Sequence, residues 1–190
     1  MTVTMKHAWS ALTICWTLLF PWHTAWGLDF SAEQTVRSGQ QSVTGKIYFK
    51  AADRFRIEMA SPEGPKVAIH RLDKVVTWLL LPNKTYVELP IQIDQILPLM
   101  ALNVEGEVKR KLVGKEEVGG RQTQKYEVIV DVKGSKQVVY QWIAPDINFP
   151  MKMASADGSW ERAYTYVKEG PQPASLFELP AGYTKAPLKR

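Results

Sequence analysis

The sequence has very few of the side chains that support metal or nucleophilic chemistry. It contains one cysteine, Cys15, and of its three histidines only His70 lies beyond residue 27. A metal site would therefore need its ligands from Asp and Glu, and no acidic cluster has the spacing of a calcium loop. No serine–histidine–acid arrangement can be written with one histidine, and no glycine-rich phosphate loop follows a strand-like segment. We expect no enzyme activity, no metal and no cofactor.

The first 27 residues have the pattern of a secretory signal peptide. Lys6 and His7 precede an apolar run over residues 8–20, and Ala25 and Gly27 supply small residues before a cut. The run is shorter than the ~20 residues of a membrane span, although residues 21–26 lengthen it enough to leave an uncleaved anchor as the alternative. We expect cleavage after Gly27, periplasmic localisation, and one domain over residues 28–190. Cys15 leaves with the peptide, so we expect no disulfide.

The charge balance is only mildly basic. The formal net charge is +5, spread along the chain. Transient contact with an anionic membrane surface fits this excess, and so does ordinary surface charge that keeps a protein soluble. Export also disfavours a nucleic-acid partner.

Residues 53–89 read as successive hairpins. Apolar and charged residues alternate from Arg54 to Met59, so Phe55, Ile57 and Met59 share one face of a strand. Turn-forming residues interrupt the pattern at 61–65, 73–74 and 82–84. The strand predicted over 75–81 is apolar on both faces, which requires cover on both sides or an apolar cavity. His70 is interpreted as an ordinary surface or half-buried strand residue, with a role in binding as the alternative.

The rest of the chain continues the strand pattern with one interruption. Further strands are predicted over 30–37, 42–50, 107–118, 122–132, 138–142, 151–156 and 159–167. Between residues 93 and 102 the apolar period becomes helical, and such an apolar helix must lie buried. A sheet of about ten or eleven strands must curl or close. The predicted class is mainly β, with a single curved antiparallel sheet forming an open or half β-barrel under a short apolar helical lid.

A single curved sheet with one apolar helix has too few layers to fill a wide interior, so an apolar cavity is expected. Each aromatic or methionine residue taken alone is equally explained as core. Strand phase decides whether Trp78 or Leu79 faces inward, and the sequence leaves that open. The candidate cavity residues are Phe55, Ile57, Met59, Trp78, Leu80, Ile96, Leu97, Met100 and Trp142.

Several short motifs resemble the periplasmic lipoprotein carrier and receptor proteins of the LolA/LolB class. They are the segment 50–57 centred on Phe55, the segment 69–78 that ends in Trp78, the Leu-Pro-Asn turn at 81–83, and the ending 177–183. The resemblance implies an open β-barrel whose helices cover an apolar concave face that holds acyl chains, with Phe55 contacting the lid. The family's arginine near that phenylalanine falls at about Ala51 here. The helix that usually precedes the first strand is missing.

Two functions follow as hypotheses. The first is a monomeric periplasmic binding protein that holds a lipid or a lipoprotein acyl chain. The alternative is an envelope protein-interaction or sensor module with the same fold and a filled interior, which engages its partner through an edge strand or the basic strand over 107–118. A cavity of several hundred Å³ under the helix favours the first, and a packed interior favours the second.

Overall fold

The computed structural model describes residues 29–50, 53–60 and 66–187. The predicted signal peptide lies outside these described residues. The strands are β1 (Phe30–Ser38), β2 (Gln41–Lys50), β3 (Arg54–Met59), β4 (Lys66–Arg71), β5 (Val76–Leu80), β6 (Thr85–Pro90), β7 (Glu107–Val118), β8 (Arg121–Val132), β9 (Ser135–Ala144), β10 (Phe149–Ser155), β11 (Trp160–Glu169) and β12 (Thr184–Lys185).

All twelve strands belong to one curved sheet that does not close. Its order is β12-β6-β5-β4-β3-β2-β1-β11-β10-β9-β8-β7, and all neighbours are antiparallel except β12, which pairs in parallel with β6. The predicted open antiparallel sheet is confirmed. The strand that the sequence pattern does not predict is β12, because two residues are too few to show a period.

Helical structure between the strands is limited to single turns. The helix α1 (Ile93–Ile96) runs directly into a 3-10 turn at Leu97–Leu99, and two further 3-10 turns lie at Leu72–Lys74 and Ala174–Phe177. Pro98 lacks the backbone N–H that a longer helix would need, which limits the predicted lid to this length. None of the helices among the described residues is long and apolar enough to span a membrane.

The sheet has two differently covered faces. The inner face, defined here as the face that carries Phe49, Phe55 and Tyr164, holds the main core. Four phenylalanines and a tyrosine pack together there: the rings of Phe30 and Phe49 are stacked, and those of Phe49 and Phe55 meet edge to face with centroids 5.1 Å apart. The cap segment, residues 91–102, crosses this face and contributes Ile96 to the core.

The tail segment, residues 171–187, covers the outer face over β4 and β5. Phe177 is fully buried against Ile69, Trp78 and Leu80, which project from β4 and β5 on that side. The two apolar faces of β5 therefore have separate covers, the tail segment outside and the cap segment inside. Burying a phenylalanine contributes about 1.5–3 kcal/mol, so Phe177 is a main anchor of the tail segment.

Candidate functional site

A cavity of about 470 Å³ lies between the inner face and the cap segment. Its lining is mostly apolar, with three polar side chains among the eight. The lining residues are Ile57, His70, Thr77, Leu89, Pro90, Gln92, Ile96 and Leu99. The volume falls within the usual range of ligand sites, about 300–1,000 Å³.

Strand register brings the wall of the cavity together. Phe55 of β3 lies opposite His70 of β4, His70 lies opposite Thr77 of β5, and Thr77 lies opposite Leu89 of β6. Directly paired residues in an antiparallel sheet project from the same face. The row that begins at the buried core residue Phe55 therefore continues as the cavity wall over the next three strands.

His70 and Thr77 form the polar part of that wall. His70 Nδ1 and Thr77 Oγ1 lie 2.9 Å apart and share a hydrogen bond. Burial lowers the pKa of His70 below its ordinary value of 6.5, so the imidazole is neutral at neutral pH. The cavity thus presents a neutral hydrogen-bonding ring among apolar side chains.

The cap segment is held to the inner face through its backbone carbonyls. Arg162 donates to the Pro98 carbonyl (3.0 Å), and Tyr164 donates to the Leu99 carbonyl (3.3 Å). A single helical turn leaves its last carbonyls without intrahelical partners, and these side chains of the sheet satisfy them.

The end of the cap segment is held in the same way. Gln141 donates to the Ala101 carbonyl (2.9 Å) and Arg110 to the Leu102 carbonyl (2.7 Å). These contacts, like those at Pro98 and Leu99, all fall after α1. The part of the cap segment that faces the cavity is therefore fixed from its C-terminal side.

Only part of the predicted cavity set lines the cavity. Ile57 and Ile96 do. Phe55 and Met100 pack into or against the main core, so the interior beneath the cap segment is partly filled. Met59 lies in a separate groove of about 320 Å³ beside Gly45. Leu97 lies in the 3-10 turn, and its side chain is outside the described part of the structure.

Trp78 and Leu80 lie on the outer face and do not line the cavity. They pack with Phe177 under the tail segment, and the Trp78 indole donates to Glu88 (3.2 Å). Leu79, the alternative that the sequence left open, has the inward phase, since it is paired with Ala68 opposite Ile57.

Trp142 also lies on the outer face. Its indole donates to Glu116 Oε2 (2.7 Å), and the ammonium groups of Lys125 and Lys152 lie 4.8 and 4.9 Å from its ring centroid. Cation–π contacts and the aliphatic stems of the lysines cover the ring. Trp142 is therefore buried without reaching the inner face.

The sequence interpretation missed Thr77, Leu89, Pro90, Gln92 and Leu99 as lining residues, and it held a binding role for His70 only as the alternative. The hairpins of the sequence contain a signal that could have identified these residues. Once Phe55 is taken as inward-facing, the turns between β3, β4, β5 and β6 fix which residues pair with it. That reasoning needs the register at each turn, and the 3-10 turn at Leu72–Lys74, followed by Val75 at φ 55°, is not readable from periodicity.

A polar cluster holds the tail segment against the outer face. Arg71, 3% exposed, donates two hydrogen bonds to Asp73 (2.7 and 2.6 Å), one to the Phe177 carbonyl (3.0 Å) and one to Glu178. The Arg71 hydrogen bond lowers the pKa of Asp73 to about 2. Lys74 also donates to Glu178 (3.2 Å). We call Arg71, Asp73, Lys74 and Glu178 the tail latch.

Neither the tail latch nor any other group resembles a metal site. Among residues 29–50, 53–60 and 66–187, no cluster of three or more His, Cys, Asp or Glu is placed to hold a metal ion.

Comparison with known proteins finds similarity in structure and not in sequence. No family model matches the chain, and no curated protein matches its sequence. The structure of MucB in complex with MucA(peri) matches over 81% of this chain at a TM-score of 0.53 and 14% identity. The lipoprotein LppX of Mycobacterium tuberculosis matches over 75% of this chain and 88% of its own, at a TM-score of 0.51 and 14% identity. The chain shares their fold.

The extent of these matches differs. This chain spans only 55% of the MucB chain in that complex. A LolA superfamily protein from Nitrosomonas europaea is also matched over 80% of this chain and 90% of its own, with 10% identity and a TM-score of 0.39. The expected open antiparallel fold is shared with MucB and LppX, and identities this low show the fold alone.

Proposed function

We propose that this chain is an exported periplasmic binding protein that holds a lipid or lipoprotein acyl chain between the inner face and the cap segment. The observation that carries the proposal is the 470 Å³ cavity, with an apolar lining and no charged side chain among its lining residues. Export rests on the predicted signal peptide.

The energetics suit a carrier. Each methylene removed from water contributes about 0.8 kcal/mol, and the gain is similar in the cavity and in a membrane. An acyl chain can therefore pass between the two with a small net change in free energy. The cavity has no arrangement of catalytic groups, so binding without chemistry is the function we assign to it.

The proposal is tested by filling the cavity. Leu89→Trp places a large ring at the cavity wall, and Leu112→Trp makes the same change on β7, where Leu112 is exposed and is not a lining residue. We expect folded wild-type protein and Leu112→Trp to retain co-purifying lipid by mass spectrometry and to bind a fluorescent fatty-acyl ester. Leu89→Trp should lose both. Absence of lipid and of probe binding in folded wild-type protein contradicts the proposal.

A second candidate is an envelope protein-interaction module, and the free edge of the sheet favours it. β7 ends the sheet order, spans Glu107–Val118, and exposes Val108, Leu112 and Val113. Register shifts at Val108 and Val113 interrupt its pairing with β8. MucB, which shares the fold, forms a complex with MucA(peri). A variant with a proline in β7 that no longer binds an envelope partner, but still binds lipid, would favour this candidate.

A further inference from the structure

Two of the three polar side chains of the cavity lie together on the sheet, and the third, Gln92, lies on the cap segment. His70 and Thr77 lie opposite each other on adjacent strands and are joined by a hydrogen bond. The other contributions of the sheet to the lining, Ile57, Leu89 and Pro90, are apolar. The sheet side of the cavity therefore has one spot that can exchange a hydrogen bond with a guest, and the rest of that side offers only apolar contact.

The second nitrogen of His70 is the atom that can make this bond. Nδ1 is occupied by Thr77, whereas Nε2 has no hydrogen-bond partner within the described residues. Nε2 is also not one of the fully buried side-chain atoms that lack a partner. It is therefore accessible, and His70 lines the cavity. When the Thr77 hydroxyl donates to Nδ1, the ring proton of a neutral imidazole sits on Nε2, which then donates.

We propose, building on the proposed function, that the cavity selects an acyl chain whose uncharged ester or amide carbonyl accepts a hydrogen bond from Nε2 of His70. Thr77 is a positioning residue that sets the orientation and the tautomer of the ring. None of the described lining residues is cationic, so a free carboxylate would be buried without a counter-charge, which is costly. The guest expected from this chemistry is an acylated lipid or an N-acylated protein terminus, and not a free fatty acid.

The proposal is tested by displacement of a bound fluorescent probe with four competitors of one chain length: dodecane, methyl laurate, N-methyl lauramide and laurate. At pH 8 we expect at least one carbonyl competitor to displace the probe about three- to tenfold more strongly than dodecane, the gain of one net hydrogen bond. Laurate should be weaker than methyl laurate. The ester and amide results separate a lipid guest from an N-acylated one.

Variants then assign the effect to the named atoms. His70→Phe keeps an aromatic ring but has no hydrogen-bond donor, so it should make the carbonyl competitors no stronger than dodecane. Thr77→Val should reduce the preference, and Thr77→Ser, which retains the hydroxyl, should preserve it. Equal displacement by dodecane and both carbonyl competitors, or laurate as the strongest competitor, overturns this inference while leaving apolar binding intact. Displacement by none of the four overturns the proposed function as well.

Discussion

Replacement of Arg71 by methionine should release the tail segment from the outer face. The guanidinium donates four hydrogen bonds from a position that is 3% exposed, and one of them reaches the Phe177 carbonyl. Removing one partner of a buried ion pair typically costs 3–5 kcal/mol. The side chains of Asp73 and Glu178 are 27% and 45% exposed, so water recovers part of that loss. We expect Arg71→Met to lower the free energy of unfolding by about 3 kcal/mol.

The matched variants follow from the same geometry. Glu178→Gln keeps an acceptor for Arg71 and leaves the bond to the Phe177 carbonyl intact, so we expect a loss of about 1 kcal/mol. Arg121→Met removes an arginine whose partners, Asp146 and Glu169, are about half exposed, and it should also cost at most about 1 kcal/mol.

Urea denaturation measures these losses, and hydrogen exchange followed by mass spectrometry locates them. In Arg71→Met, exchange should rise in the tail segment and in β6, which pairs with β12, and remain unchanged in β8 and β9. The low pKa of Asp73 adds a signature in acid. Its stabilising contribution is present above pH 3.8 and is lost as the pH falls toward about 2, so Arg71→Met should remove this dependence. A loss below about 1 kcal/mol, or exchange that rises equally in β8 and β9, would refute the latch.

Two further predictions concern the sheet and the cavity wall. A Cβ at Gly45 would clash with the Glu58 carbonyl oxygen and lie 2.8 Å from Met59 Sδ, whereas one at Gly114 meets nothing within 4 Å. Gly45→Ala should therefore lower the free energy of unfolding by about 1–3 kcal/mol, and Gly114→Ala should leave it almost unchanged, as measured by urea denaturation. Equal losses in the two variants would contradict the register of β2 and β3. Burial lowers the pKa of His70, so the unfolded chain binds a proton at this residue more readily than the folded protein does. The free energy of unfolding should therefore decrease as the pH drops below 6.5, and it should decrease less in His70→Phe. Identical pH profiles for the two proteins would show that His70 is not buried.

The sequence alone determined the class of fold and the phase of β3. Alternation in β3 sets Phe55 and Ile57 on one face, because side chains of a strand point to opposite sides with a period of two. Turn residues between apolar runs set the hairpins, and the change of period after residue 90, with Pro98, set a cap of single turns. These are local properties, and each depends on residues within a few positions of one another.

Only the tertiary structure decided which apolar side chains face the cavity. Both faces of β5 are apolar, so hydrophobicity cannot orient it, and its register with β4 places Trp78 outward and Thr77 inward. Trp142 is likewise buried on the outer face, because two lysines lie over its ring and Glu116 accepts the hydrogen bond of its N–H. The sequence pattern could not show that His70 faces the cavity, because its position depends on contacts between strands and on a cap segment that is distant in sequence.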